Sequence, residues 1–286
     1  MARLFSGHER TWRDYRYVYP VVSRRSRGLS IGINLNVDGA CNFDCVYCQV
    51  ARPTGRPGEV DLDRLAEELS TMVEAVVRGA IWSDPAFGAT PIEMRRFNDI
   101  AFSGDGEPTA HPAFGEACRL AAEARERFGL TTTRLVLITN ATRLDRPEVM
   151  RSLAMLDGNG GEVWAKLDAG TDAFFQAVDR PRGGITLDRV VANIAMAARR
   201  RPLVIQTMWL AMDGQGPGDG EFEAYLDRLA EVRAAGGTID RVQFYTVARP
   251  PTEARVRPLS AQRLDAMAER LGRRFPDLDV ATFPAK

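Results

Sequence analysis

Lysine is almost missing from this chain of 286 residues: of 38 basic residues 36 are arginine, and only Lys166 and the terminal Lys286 are lysine. The arginine excess reads as a genome-composition effect. The single internal lysine suggests a site where arginine's planar fork does not fit. Apolar runs long enough to span a bilayer are also missing. The opening MARLFSGHERTWRDYRY has no apolar signal-peptide core, so a cytoplasmic protein with no membrane partner is expected. Net charge is zero, 38 basic against 38 acidic residues, which gives no global field for nucleic acid. No helix-turn-helix or RNA-recognition pattern is present. Histidine is limited to His8 and His111, and cysteine to four residues.

Three of those cysteines fall within eight residues, Cys41-Asn-Phe-Asp-Cys45-Val-Tyr-Cys48. A secreted disulfide framework would spread them, so in a reducing compartment the cluster reads as a metal site. An Fe–S cube takes one ligand per iron, and three cysteines leave one iron open to a small chelating ligand. The alternatives are structural zinc, a disulfide with one cysteine left over, and three unrelated buried cysteines. Zinc would need His8 or His111 as fourth ligand, and neither has finger-like spacing. Cys118 lies on the apolar face of a helix with Phe114, Ala121 and Ala122 and is expected in the core. His111 is expected to have a cap-like role.

Residues 1–28 form a basic, aromatic lead-in with seven arginines, in which Tyr15, Tyr17 and Tyr19 alternate as in a short strand. From Leu29 onward a single domain, residues 29–286, shows strand-like runs at 29–37, 98–103, 134–139, 162–167, 202–210 and 240–247. Helix-like runs near 61–79, 112–128, 147–156, 186–200, 221–235 and 260–274 separate them. Leu62, Leu65, Leu69, Met72, Val73 and Val76 make one such helical stripe. DVATF (279–283) reads as a closing strand, and DGQGPGDG (213–220) as a flexible loop. Alternating strands and helices predict an α/β fold with a parallel sheet. About six units are too few for a closed eight-stranded barrel. An open partial (β/α)6-type barrel is expected, with a doubly wound sheet as the alternative. Either places chemistry at the C-terminal ends of the strands.

Candidate residues sit at those ends. Gly104, Gly106 and Glu107 follow the second strand in FSGDGEPT, where glycine lets backbone approach a ligand and a carboxylate suits an ammonium. Thr139 and Asn140 end the third strand. Lys166 and Asp168 share one face of the fourth. Gln206 lies on the fifth, and Tyr245 and Arg249 lie at the end of the sixth. A surface ion pair is the plain alternative for Lys166 and Asp168, and a helix cap for Asn140.

CNFDCVYC resembles the C-x3-C-x-Φ-C motif of the radical S-adenosylmethionine (SAM) superfamily, and GDGEP its glycine-glutamate motif. The resemblance implies one [4Fe–4S] cluster on Cys41, Cys45 and Cys48, with SAM as cofactor. It further implies Tyr47 packed on adenine and Gly104, Gly106 and Glu107 holding the methionine end. Thr139, Asn140, Lys166, Asp168 and Gln206 are then further cofactor contacts, and Tyr245 and Arg249 substrate contacts. An electron donor such as flavodoxin or ferredoxin is implied as partner. GEPTAHPAF (106–114), AKLDAGTDAFFQAVDRP (165–181), IQT (205–207) and YTVARPP (245–251) resemble the wyosine-forming tRNA enzymes and their short single-cluster relatives. No cysteine precedes Cys41, so no second Fe–S cluster is expected. The expected activity is reductive cleavage of SAM and hydrogen abstraction from an RNA base. A peptide, protein or small metabolite is the alternative substrate, and a non-catalytic Fe–S or RNA-binding protein the alternative of another class.

Overall fold

A computed structural model describes residues 12–50, 52 and 57–285, so residues 1–11 of the lead-in lie outside the described part. The chain forms two compact units. The first takes residues 1–41, 53–138 and 146–162, the second 42–52, 139–145 and 163–286.

In the first unit the strands β1 (Val18–Ser23), β2 (Gly28–Ile33), β3 (Phe97–Phe102) and β4 (Arg134–Thr139) lie in that order. β1 is antiparallel to β2; the β2–β3 and β3–β4 pairs are parallel. All six residues of β2 are buried, as expected of a parallel-sheet strand covered on both faces. The unit's helices are α1 (Leu62–Val77), α2 (Phe114–Arg127) and α3 (Pro147–Asp157). α1 starts at Asp61, whose side chain accepts from Arg64 N at 3.0 Å. It buries Leu65, Leu69, Met72, Val73 and Val76 of the expected stripe.

β1 lies inside the stretch 1–28. Of the three alternating tyrosines only Tyr19 falls in this strand; Tyr15 makes an isolated bridge with Trp12 and Tyr17 lies just before the strand, and Tyr17 and Tyr19 are buried. Buried Glu68 on α1 fastens its start, accepting from Arg16 N and Tyr17 N at 2.8 Å and from Val18 N at 3.2 Å. A carboxylate surrounded by backbone N–H groups is a strong anchor.

In the second unit β5 (Gly161–Lys166), β6 (Leu203–Met208), β8 (Ile239–Tyr245) and β10 (Asp279–Phe283) run parallel in that order. β7 (Leu210–Met212) and β9 (Val256–Pro258) form a separate antiparallel ribbon. The helices are α4 (Asp172–Val178), α5 (Leu187–Ala198), α6 (Asp219–Ala234) and α7 (Ala261–Arg274). Thr171, Thr186 and Ser260 cap α4, α5 and α7. α6 begins at Asp219, so the expected loop 213–220 gives its last residues to a helix.

Candidate active site

Each unit carries motif residues at the C-terminal ends of its strands. In the first unit, β2 runs into Asn34-Leu35-Asn36 and on to Cys41, and β3 runs into Gly104-Asp105-Gly106-Glu107. The two loops lock together. Asn34 Oδ1 accepts from Asp105 N at 3.0 Å, and Asn34 Nδ2 donates to Asp105 Oδ2 at 2.6 Å. Gly104 has φ +154°, a backbone region closed to side chains, and a Cβ there would collide with Asn34. At Gly106 a Cβ would lie 2.7 Å from Asn36 Cβ and closer still to the Ala40 carbonyl. The glycines thus let the β3 loop press against the segment that delivers Cys41. Gly106→Ala is expected to cost about 1–3 kcal/mol through forced displacement of this segment. Denaturant unfolding checks this; a change within about 0.5 kcal/mol contradicts the tight fit.

Glu107 is 3% exposed, and its Oε1 accepts from Thr109 N at 3.1 Å and Thr109 Oγ1 at 2.5 Å. His111 closes the short 3-10 turn Pro108–Ala110 ahead of α2 and gives that helix no side-chain cap. Its Nδ1 accepts from Ala113 N at 3.1 Å, and its Nε2 lies 3.0 Å from the Gly58 carbonyl. Cys118 is fully buried on α2, and burial pushes its thiol well up.

In the second unit the loop after Cys41 is fastened along its length. Asp44 N donates to Asp179 O, Val46 N to Val178 O at 2.9 Å, and Arg182 N to Asn42 O at 2.9 Å. Asn42, Asn140 and Thr142 close a ring of side-chain bonds. Asn42 Nδ2 donates to Thr142 Oγ1 at 2.7 Å, Thr142 Oγ1 to Asn140 Oδ1 at 2.7 Å, and Asn140 Nδ2 to Asn42 Oδ1 at 2.8 Å. Thr139 Oγ1 accepts from Ala141 N at 3.0 Å. Asn140 therefore belongs to a side-chain-bonded turn and does not cap α3, whose N-cap is Arg146. Ala141 in that turn has φ +62°, a strained value for alanine that the surrounding bonds hold in place.

The same unit buries a polar network beside Cys45. Lys166 Nζ lies 2.9 Å from Asp168 Oδ2, bonds to the Tyr245 hydroxyl, and stands 5.0 Å from the ring centres of both Tyr47 and Tyr245. Tyr47 OH donates to Asp168 Oδ2 at 2.6 Å, and Met208 N donates to Asp168 Oδ1 at 2.7 Å. Asp179 Oδ1 is 3.4 Å from Tyr47 OH and 3.5 Å from Cys45 Sγ. Lys166 and Asp168 are thus a buried pair; their side chains are 18% and 1% exposed. Burial pulls the Lys166 ammonium down, but Asp168 and Tyr245 outweigh it and hold its pKa above the ordinary lysine range. Burial, reinforced by Asp168, raises the Tyr47 hydroxyl, so it stays a donor. The Tyr47 ring packs on a cluster of Val46, Val178, Leu210, Val247 and Val256.

Lys166, Asp168, Tyr47 and Tyr245 are therefore gathered in one place, with Cys45 alongside. Gln206 is not among them: it is wholly buried, and its Nε2 donates to Gln243 Oε1 at 2.7 Å. Arg249 meets the cysteine loop elsewhere, donating to Gln49 Oε1 at 3.0 Å. Asp179 escaped the sequence reading. Its one signal is the Asp-Arg-Pro break that ends α4, which reads as an ordinary turn.

Cys41, Cys45 and Cys48 form no disulfide and are half-buried, whereas Cys118 is sealed in the core. Backbone and guanidinium N–H groups reach Cys48 Sγ, from Val50 N at 3.5 Å and Arg52 Nη2 at 2.7 Å. Three half-buried thiols, one of them with N–H donors on its sulfur, fit an Fe–S cube. Among the described residues no three His, Cys, Asp or Glu side chains could hold one metal ion; a cube places each cysteine on a different iron.

Parallel strands that end in a three-cysteine loop and a glycine-acid loop are the arrangement of an α/β protein with a thiolate-rich site. Residues 35–229 match the family model of the Radical SAM superfamily, and the chain belongs to that superfamily. It is a radical SAM enzyme, with a [4Fe–4S] cluster and SAM as cofactors, and it requires an electron donor and a substrate.

The chain is similar to the UPF0026 protein slr1464 of Synechocystis, 28% identical over 229 residues that cover 78% of this chain and 74% of that one. It is 27% identical over 179 residues to a protein named GTPase Obg from Brachyspira hyodysenteriae. That match covers 61% of this chain and only 22% of the relative. Two solved structures share the fold. A radical SAM methyltransferase from Sphaerobacter thermophilus has a TM-score of 0.58 and 15% identity, covering 93% of this chain and 68% of that one. TYW1 with a lysine-pyruvate adduct bound has a TM-score of 0.56 and 12% identity, covering 87% and 74%. The fold class expected from the sequence, α/β of the partial-barrel type, is thereby borne out. Among the described residues no helix is long and apolar enough to cross a membrane.

Proposed function

We propose that this radical SAM enzyme abstracts hydrogen from a base of RNA. Cys41, Cys45 and Cys48 would hold a [4Fe–4S] cluster, which would supply the electron for reductive cleavage of SAM to methionine and a 5′-deoxyadenosyl radical. Gly104, Gly106 and Glu107 bind the methionine end, with Thr139 and Asn140 on its polar groups. Tyr47 packs on adenine. Asp168 takes the ribose hydroxyls, and Lys166, kept charged, serves as a fixed cation for a carboxylate. Gln206 orders the β6–β8 pair beneath the network through Gln243. Tyr245 and Arg249 face substrate, and flavodoxin or ferredoxin delivers the electron.

One observation carries the RNA reading. The stretches 165–181 and 245–251, which resemble the wyosine-forming branch, supply Lys166, Asp168, Asp179 and Tyr245 to one network around Tyr47 of the cysteine motif. Residues that resemble a tRNA-modifying branch are thus the ones packed beside the candidate cluster ligand Cys45. The test is isotope transfer. Reconstituted enzyme with SAM, reductant and a deuterated tRNA pool is expected to yield deuterated 5′-deoxyadenosine by mass spectrometry. Deuterium arriving only from labelled peptides or metabolites overturns the RNA reading and leaves the SAM chemistry standing.

A further inference from the structure

Cys48 is held differently from Cys45. Its carbonyl accepts from Thr252 N at 3.4 Å and Thr252 Oγ1 at 3.0 Å, and Gln49 Nε2 next to it donates to Pro250 O at 3.1 Å. The backbone is thus secured by the segment after β8. Its sulfur, in contrast, is met by Val50 N at 3.5 Å and by the Arg52 guanidinium at 2.7 Å. Beside Cys45 stands a carboxylate instead, Asp179 Oδ1 at 3.5 Å. The loop therefore presents a cation at one cysteine sulfur and an acid at another.

A guanidinium stays charged at any working pH. Hydrogen bonds and positive charge at a cluster sulfur stabilise the reduced state, which carries one more negative charge, and so raise the reduction potential. The loop is also fastened by bonds that do not involve Arg52, from Thr252, Gln49, Val46 and Asp44. We propose that Arg52 is a positioning residue that sets the reduction potential of the cluster through its contact with Cys48 Sγ. The proposal rests on membership of the superfamily and is independent of the RNA substrate.

The test uses the full chain reconstituted anaerobically, with iron and sulfide assayed, and a redox titration of the reduced cluster's electron paramagnetic resonance signal without SAM. Arg52→Gln is expected to load a full cluster and shift its midpoint to more negative potential. The ratio of reduced to oxidised cluster at a fixed donor potential should fall about tenfold, a shift of about 59 mV for one electron. Arg52→Lys keeps the charge without the fork and should shift less. Arg119→Gln, which removes an exposed charge on α2 paired with Glu116 and Glu123, should leave the midpoint in place. A fully loaded Arg52→Gln protein with an unmoved midpoint overturns the proposal. Failure of both Arg52 variants to load a cluster also overturns it, since Arg52 would then be scaffolding for the loop.

Discussion

Asp168→Ala should destabilise the protein by about 3–5 kcal/mol, the loss typical when one partner of a buried ion pair is removed. The Asp168 side chain is 1% exposed and accepts from Lys166, Tyr47 OH and Met208 N. Without it the Lys166 ammonium keeps its charge cost of burial but loses its counter-ion, and the Tyr47 hydroxyl loses its 2.6 Å acceptor. Lys166→Met should cost less, because Asp168 keeps two donors. The double variant Lys166→Met/Asp168→Leu should cost less than the sum of its parts, since no unpaired charge remains. Urea unfolding of the three variants at neutral pH reads this out. A loss under about 1 kcal/mol for Asp168→Ala would mean that the pair behaves as an exposed surface bridge.

The second large effect is on chemistry. Cys41→Ala, Cys45→Ala and Cys48→Ala should each reduce SAM cleavage to background, because a cube with two protein ligands is not held. Cys118→Ala should retain cleavage and lose only about 1 kcal/mol of stability, the cost of a small buried deletion. The difference follows from placement: three half-buried thiols on a loop against one sealed in α2. Cleavage surviving in any of the three loop variants, with cluster content unchanged, would remove that cysteine from the ligand set.

Much of this was legible in the sequence because the signals were local. Parallel strands buried on both faces read as apolar runs, so β3, β4 and β8 fell within a residue or two of expectation. The α1 stripe and the spacing of Cys41, Cys45 and Cys48 were equally plain. Non-local features were not legible. β1 looked like part of an arm because its two faces are both covered, and its anchor, Glu68, is 50 residues away from Val18. α4 has seven residues, too short for its period to register. The partners of Asp168 come from three separate segments, so alternation placed it beside Lys166 but gave no sign of Tyr47 or Met208. Gln206 looked like a strand-end ligand group, yet the register pairs it with Gln243 inside the sheet. Arg52, one arginine among 36, gave no sign of its sulfur contact.

The most direct test of the account is product analysis of the wild-type chain after anaerobic reconstitution, given SAM and a strong one-electron reductant. About one cube per chain is expected, with methionine and 5′-deoxyadenosine forming together and only when reductant is present. A protein that loads its cube yet releases no 5′-deoxyadenosine, or that takes up zinc in place of the cube and leaves SAM intact, contradicts it.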